Sequence, residues 1–385
     1  MTFDFRNPAD LTIVFAPDSF KGSLSATQAC AALQRGAARV LPHAEFVFLP
    51  LADGGEGTVE AILGSANGRE VSATVQNPLG ENIRAKWGIM PDNRAIIEMA
   101  QASGLTLVPE NARDALRASS FGTGQLIRAA LDFGCAEILI GIGGSATTDG
   151  GAGALSALGA KFLDSSGGVL PRGGAALNAL HSIDLSNLDA RLANTSITVL
   201  CDVTNPLFGA NGAAFIYAPQ KGASPKDVKI LDSSLRKLAQ ISSQTLGEDW
   251  STQAGAGAAG GMGFGLLAFL NAQLKSGIDV VLETSQFSEK LATADLVFTG
   301  EGAIDAQTLS GKSIAGVCRA AAKQNVPVIA FGGKVSLSGS EQSTVGLLAA
   351  FPIADAPMSL EFCIERADEL LANAVERVLR IWIRD

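Results

Sequence analysis

The sequence predicts an α/β protein with more than one domain. Three observations carry that prediction. Apolar runs of strand length alternate with amphipathic helical stretches near both ends of the chain; glycine-rich, acid-bearing turns follow those runs; and from residue 71 the pattern gives way to short strands separated by turn signals. At 385 residues the chain can bury at least two cores. With 47% hydrophobic residues, 17% charged residues and 43 glycines, it fits a globular protein rich in tight turns.

In chain order, Leu11 to Ala16 reads as a buried parallel strand, and Pro17 to Ser23 as the loop leaving it. A helix starts at Ser25, where Gln28 completes a capping box, and Pro42 ends it. Glu45 to Leu49 is a second strand, followed by Asp53-Gly54-Gly55-Glu56-Gly57 and a helix through Val59, Ile62 and Leu63. If the two strands are parallel, both acidic loops emerge at one carboxyl edge, where open α/β sheets place ligands. Val71 to Val75, Ile83 to Ile89 and Ala95 to Glu98 suit hairpins rather than crossovers, so a domain boundary is expected near residue 70.

Further on, Gly124 to Phe133 reads as a helix, and Glu137 to Ile140, Ala160 to Leu163 and Ile197 to Cys201 as strands. Ser224-Pro225 starts a helix that runs to about Leu246. Gly277 to Glu283 is read as the crossing back to the first domain. Leu296 to Thr299 is a strand leading into the loop Gly300 to Gln307, with a helix after Lys312. Val326 to Phe331 and a long amphipathic helix from Ser359 complete the chain.

A net charge of −9 argues against nucleic acid or an anionic membrane as the main partner. An anionic ligand would need a divalent cation or local Lys/Arg groups. The five cysteines are far apart, odd in number and without a CxxC pair, which with the absence of a signal-peptide pattern predicts a cytoplasmic protein with reduced thiols. Two histidines exclude a multi-histidine metal site. The uncharged window Ser251 to Asn271 carries too many glycines to read as a membrane span, and is taken as a loop leading into a buried helix.

The stretch Gly141 to Leu155, GIGGSATTDGGAGAL, follows an apolar run, so its backbone could approach a phosphate closely. Gly141-x-Gly143-x-x-Ala146 is also close to a dinucleotide fingerprint, but Asp149 would set a like charge against a pyrophosphate. Gly255-x-Gly257-x-x-Gly260 has the same letters without a preceding strand. Gly311-Lys312-Ser313 ends like a P-loop, yet Ala306 stands where the loop's first glycine belongs. Asp18, Asp53, Glu56, Asp149, Asp202, Glu301 and Asp305 each lie near a strand end or glycine turn. Singly, each reads as a turn former. Together with Lys21 and Lys312 they supply what phosphoryl transfer needs: carboxylates for Mg²⁺ and for the attacking hydroxyl, and cations for the transferred group.

In order and spacing, residues 16–25, 52–58, 141–153, 201–207, 219–223, 255–267 and 299–312 resemble the bacterial glycerate kinase family. The resemblance covers nearly the whole chain. It implies two α/β domains, a flavodoxin-like domain inserted into a discontinuous Rossmann-like domain, with the active site in the cleft; the division is then 1–70 plus 285–385 around 71–284. It also implies transfer of the γ-phosphoryl group of ATP to D-glycerate with Mg²⁺, most often giving 2-phosphoglycerate.

On that basis Lys21, Asp202, Asp305 and Lys312 are the expected catalytic residues, with Asp202 and Asp305 also the metal carboxylates. Asp18, Ser19, Ser23, Asp53, Glu56, Ser145, Thr147, Asp149 and Asn205 are expected on the substrate. Gly141, Gly143, Gly144, Gly255, Gly257, Gly260 and Glu301 are expected on the nucleotide. Thr148, Ala303 and Ile314 stand where the family commonly has Asn, Arg and Pro. Glycerate 3-kinase regiochemistry, a nicotinamide-dependent oxidoreductase and a non-catalytic metabolite sensor are the alternatives, and monomer and homo-oligomer both stay open.

Overall fold

The computed structural model describes residues 11–52, 57–310 and 313–382. Asp53, Glu56 and Lys312 lie outside the described residues. The chain runs β1 (Thr12–Pro17), α1 (Ala26–Ala38), β2 (Glu45–Phe48), α2 (Thr58–Ala66), β3 (Arg69–Gln76), β4 (Asn82–Ile89), β5 (Ala95–Glu98), α3 (Ala100–Ser103) and α4 (Phe121–Asp132). It continues through β6 (Glu137–Gly141), α5 (Ala152–Ala157), β7 (Lys161–Leu163), β8 (Ser182–Asp184), β9 (Ser196–Leu200), α6 (Ala213–Tyr217), α7 (Pro225–Leu246), α8 (Ala258–Leu270) and β10 (Gln273–Lys275). The last part is α9 (Gly277–Thr284), α10 (Phe287–Leu291), β11 (Leu296–Ile304), α11 (Ser313–Ala322), β12 (Val328–Val335), α12 (Gly339–Val345), β13 (Ala349–Pro352), α13 (Leu360–Glu365) and α14 (Ala367–Trp382).

These elements divide into two compact units, one with the described residues of 11–52, 60–66 and 278–382, the other with 57–59 and 67–277. The first holds an all-parallel sheet in the order β13-β12-β11-β1-β2. Every residue of β1 is buried, so both faces of the sheet are covered. Phe46, Phe15, Phe298, Phe331 and Phe351 form a chain of ring contacts across all five strands. On that face Leu33 and Ala37 of α1 and Leu371 and Val375 of α14 complete the core.

The second unit has the sheet β10-β9-β6-β5-β4-β3, in which β10, β9, β6 and β5 are parallel and β4 pairs antiparallel with both β5 and β3. The α/β fold class stands, with one detail moved. Numbered along its own strands, the first unit's order is 2-1-3-4-5, the flavodoxin-type doubly wound order, whereas the inserted unit's sheet is mixed because β3, β4 and β5 form a meander.

Capping residues fix several helix boundaries where the sequence predicts them. Ser25 and Gln28 form a capping box on α1, and Ser224 and Asp227 one on α7, with Pro225 at its first position. Other expectations shift. The strand expected to end at Thr299 runs to Ile304, because Glu301, Ala303 and Ile304 stay in register with Gly332, Lys334 and Val335 of β12. Gly277 to Glu283 is helix α9, and the C-terminal helix is two helices separated at Arg366. Among the described residues no helix is long and apolar enough to cross a membrane.

Candidate active site

In the first unit the loop after β1 meets the end of β11. Asp18 N–H donates to Gly300 O at 2.8 Å, while its carboxylate accepts from Ser19 N–H at 2.6 Å and from Ser313 Oγ, at the start of α11, at 2.5 Å. Gly302 lets the strand pass this loop closely, since a Cβ there would lie 3.3 Å from Lys21 N. Lys21 is exposed, and Ser23 turns inward with Oγ donating to Phe20 O at 3.0 Å. One turn of chain further, Thr308 Oγ1 donates to Glu301 Oε1 at 2.8 Å and accepts from Asp305 N–H at 3.2 Å. Asp305 Oδ1 accepts from Gln307 N–H at 2.9 Å. Thus Asp18, Ser19, Lys21, Glu301 and Asp305 are gathered at the carboxyl edge of one parallel sheet. Ala303 is exposed there, in register with exposed Lys334.

In the second unit the carboxyl ends of β6 and β9 carry the other expected residues. Gly141 ends β6; Gly143 is half-buried and Gly144 exposed, the latter at φ +70°. From Ser145 to Asp149 the chain is buried. Ala146 N–H donates to Ser103 O, and α5 begins only at Ala152. A dinucleotide fingerprint needs its helix to open inside the glycine motif. This turn instead spends Ala146 on an antiparallel bridge, which removes the structural basis for the nicotinamide alternative.

Asp149, expected on a substrate wall, is enclosed at 1% exposure. Its Oδ2 accepts from Ser120 N–H at 2.8 Å and Ser120 Oγ at 2.9 Å, and its two oxygens also take the N–H groups of Gly151 and Gly153 at 3.3 Å. Burial pushes its carboxyl pKa up, and these donors work against that shift. Thr147 and Thr148 are fully buried, with Oγ1 atoms that find no partner among the described residues.

The Gly255 stretch crosses beneath these loops. A Cβ at Gly260 would sit 1.9 Å from Thr147 O, and one at Gly257 2.1 Å from Pro206 O. Gly260 O accepts from Gly150 N–H at 3.0 Å, and Gly257 N–H donates to Asn205 O at 2.8 Å. Close packing of chain on chain therefore accounts for these glycines. Asn205 is fixed on both sides, accepting from Tyr217 Oη at 2.7 Å and donating to Asn211 O at 2.8 Å. Asp202, exposed, accepts from Gly277 N–H at 3.1 Å.

Two buried ionisable residues escaped the sequence reading of the site. Lys221, 2% exposed, donates from Nζ to Ser145 Oγ at 2.8 Å and Thr147 O at 2.6 Å; burial lowers its pKa to about 7, and the charge of Asp149 opposes the shift. Glu98, at the end of β5, accepts from Val59 N–H at 2.7 Å. Lys221 lies in the Pro219 to Ala223 stretch that carried part of the resemblance, so its motif was visible but its burial was not.

These loops and the sheets behind them recur in known proteins. The chain matches the profile of the Glycerate kinase family over residues 13–383. It is 48% identical to a Bacillus subtilis (strain 168) glycerate kinase, over 96% of this chain and 97% of that one. The chain belongs to the glycerate kinase family. An Escherichia coli (strain K12) member of that family, glycerate 2-kinase, is 47% identical over 96% of each chain. A crystal structure of a glycerate kinase 2 candidate from Salmonella typhimurium LT2 superposes with a TM-score of 0.87 at 46% identity, covering 97% of this chain and 98% of that one. Membership in the glycerate kinase family makes this protein an enzyme of that type.

Proposed function

We infer that the protein transfers the γ-phosphoryl group of ATP to D-glycerate, giving ADP and 2-phosphoglycerate. The observation that carries this is near-complete coverage at 45% identity or more by proteins named glycerate kinase, one of them glycerate 2-kinase. In the reaction the substrate hydroxyl oxygen bonds to the γ-phosphorus, the bond to the β–γ bridging oxygen breaks, and the hydroxyl proton passes to a carboxylate.

At the β1 and β11 edge, exposed Lys21 offsets anionic charge, while Asp18, Ser19 and Ser23 shape the loop that presents it. Lys312 is assigned the same electrostatic task. Gly143 and Gly144 offer backbone N–H donors to phosphate oxygens. Asp202 and Asp305 share the two carboxylate tasks, proton acceptance and metal binding. Among the described residues no three His, Cys, Asp or Glu side chains form a metal-holding group. One or two carboxylates with phosphates and water, rather than an all-protein cage, are what Mg²⁺ asks of a protein. When bound, Mg²⁺ would neutralise phosphate charge.

Proton-coupled phosphorus NMR of the product tests the regiochemistry. A 2-phosphate couples to one carbinol proton and gives a doublet, the expected result; a triplet from the neighbouring methylene would assign the 3-phosphate instead.

A further inference from the structure

The glycine turn after β6 has an open tip on a closed base. Gly144 is exposed, and the N–H groups of Gly143 and Gly144 meet no protein acceptor among the described residues. From Ser145 to Asp149, by contrast, no residue is more than 7% exposed. Lys221 donates into that base, holding Ser145 Oγ and Thr147 O, both neutral acceptors. A buried ammonium is costly unless paired. Here its counter-charge is the enclosed Asp149, acting through space, while Arg113 and Asp114 line a small cavity together with Lys221 and Ala146.

We propose that Lys221 is a positioning residue: by tethering Ser145 and Thr147 it fixes the Gly143–Gly144 tip, and so sets the affinity for the phosphoryl donor without touching it. This inference rests on the kinase reading above. Charge-assisted hydrogen bonds are the stronger ones, so the tether is tightest while Lys221 is protonated. That charge is present below about pH 7 and lost above it. The KM for ATP of the wild type therefore climbs as pH rises through that value.

The test is steady-state kinetics of the full chain, with MgATP and D-glycerate, across neutral pH. Lys221→Met raises the KM for ATP about tenfold or more and abolishes its pH step, while kcat changes less than about threefold. Ser145→Ala, which removes one acceptor and keeps the lysine, raises KM about threefold and retains the step. A wild type without glycerate-dependent turnover overturns the kinase reading and this inference with it. An active wild type whose KM and pH step are matched by Lys221→Met overturns the inference alone; if Lys221→Met does not fold, an unchanged KM in Ser145→Ala does the same.

Discussion

Gly260 joins local conformation to the candidate site. At φ +73°, with no room for a Cβ beside Thr147 O, it can only be glycine, and its carbonyl holds Gly150 N–H. Gly260→Ala should lower stability by roughly 2–4 kcal/mol, combining left-handed strain with overpacking. A urea titration checks this, and a loss under about 1 kcal/mol would mean that the two loops can part at little cost. The glycine was legible in the sequence; its purpose was not. Gly255-x-Gly257-x-x-Gly260 has the letters of a phosphate loop, but the carbonyls it approaches come from residues 147 and 206, far off in sequence. The burial of Asp149 was illegible for the same reason: the Ser120 groups that donate to it lie 29 residues away in sequence.

Among the elements, what was legible follows the range of the interaction that fixes it. The starts of α1 and α7 depend on a capping residue and one three positions on, and both could be read directly. The extension of β11 to Ile304 depends on β12, about thirty residues away, so its glycines looked like a loop. Short β8, β10 and β13 owe their pairing to neighbours rather than to their own pattern, whereas β7 could be read from the sequence.

The packing of α1 on α14 gives a test at this scale. A Cβ on Gly36 would lie 2.2 Å from Ala372 O and 2.9 Å from Val375 Cβ. Helix propensity alone favours Gly36→Ala by up to about 1 kcal/mol, whereas forcing the helices apart costs about 1–3 kcal/mol. A lower melting temperature is expected, and a higher one would show that propensity outweighs this contact.

For the whole molecule, an α/β chain of two units was within reach of the sequence in outline, because strand and helix alternation survives at both ends of the chain. The flavodoxin-type order lies in the discontinuous unit, a consequence of how distant strands pair that no local pattern announces. Asp18, Lys21, Glu301 and Asp305 belong to one unit, and the β6 turn, Asp202 and Asn205 to the other. The family assignment rests on matching over the full span of both.

The central claim is the reaction, and ADP release by the purified protein tests it most directly. With ATP and Mg²⁺ present, adding D-glycerate should start ADP formation, one ADP for each phosphoglycerate made; an ADP rate that D-glycerate leaves at the ATP-only level would contradict the account.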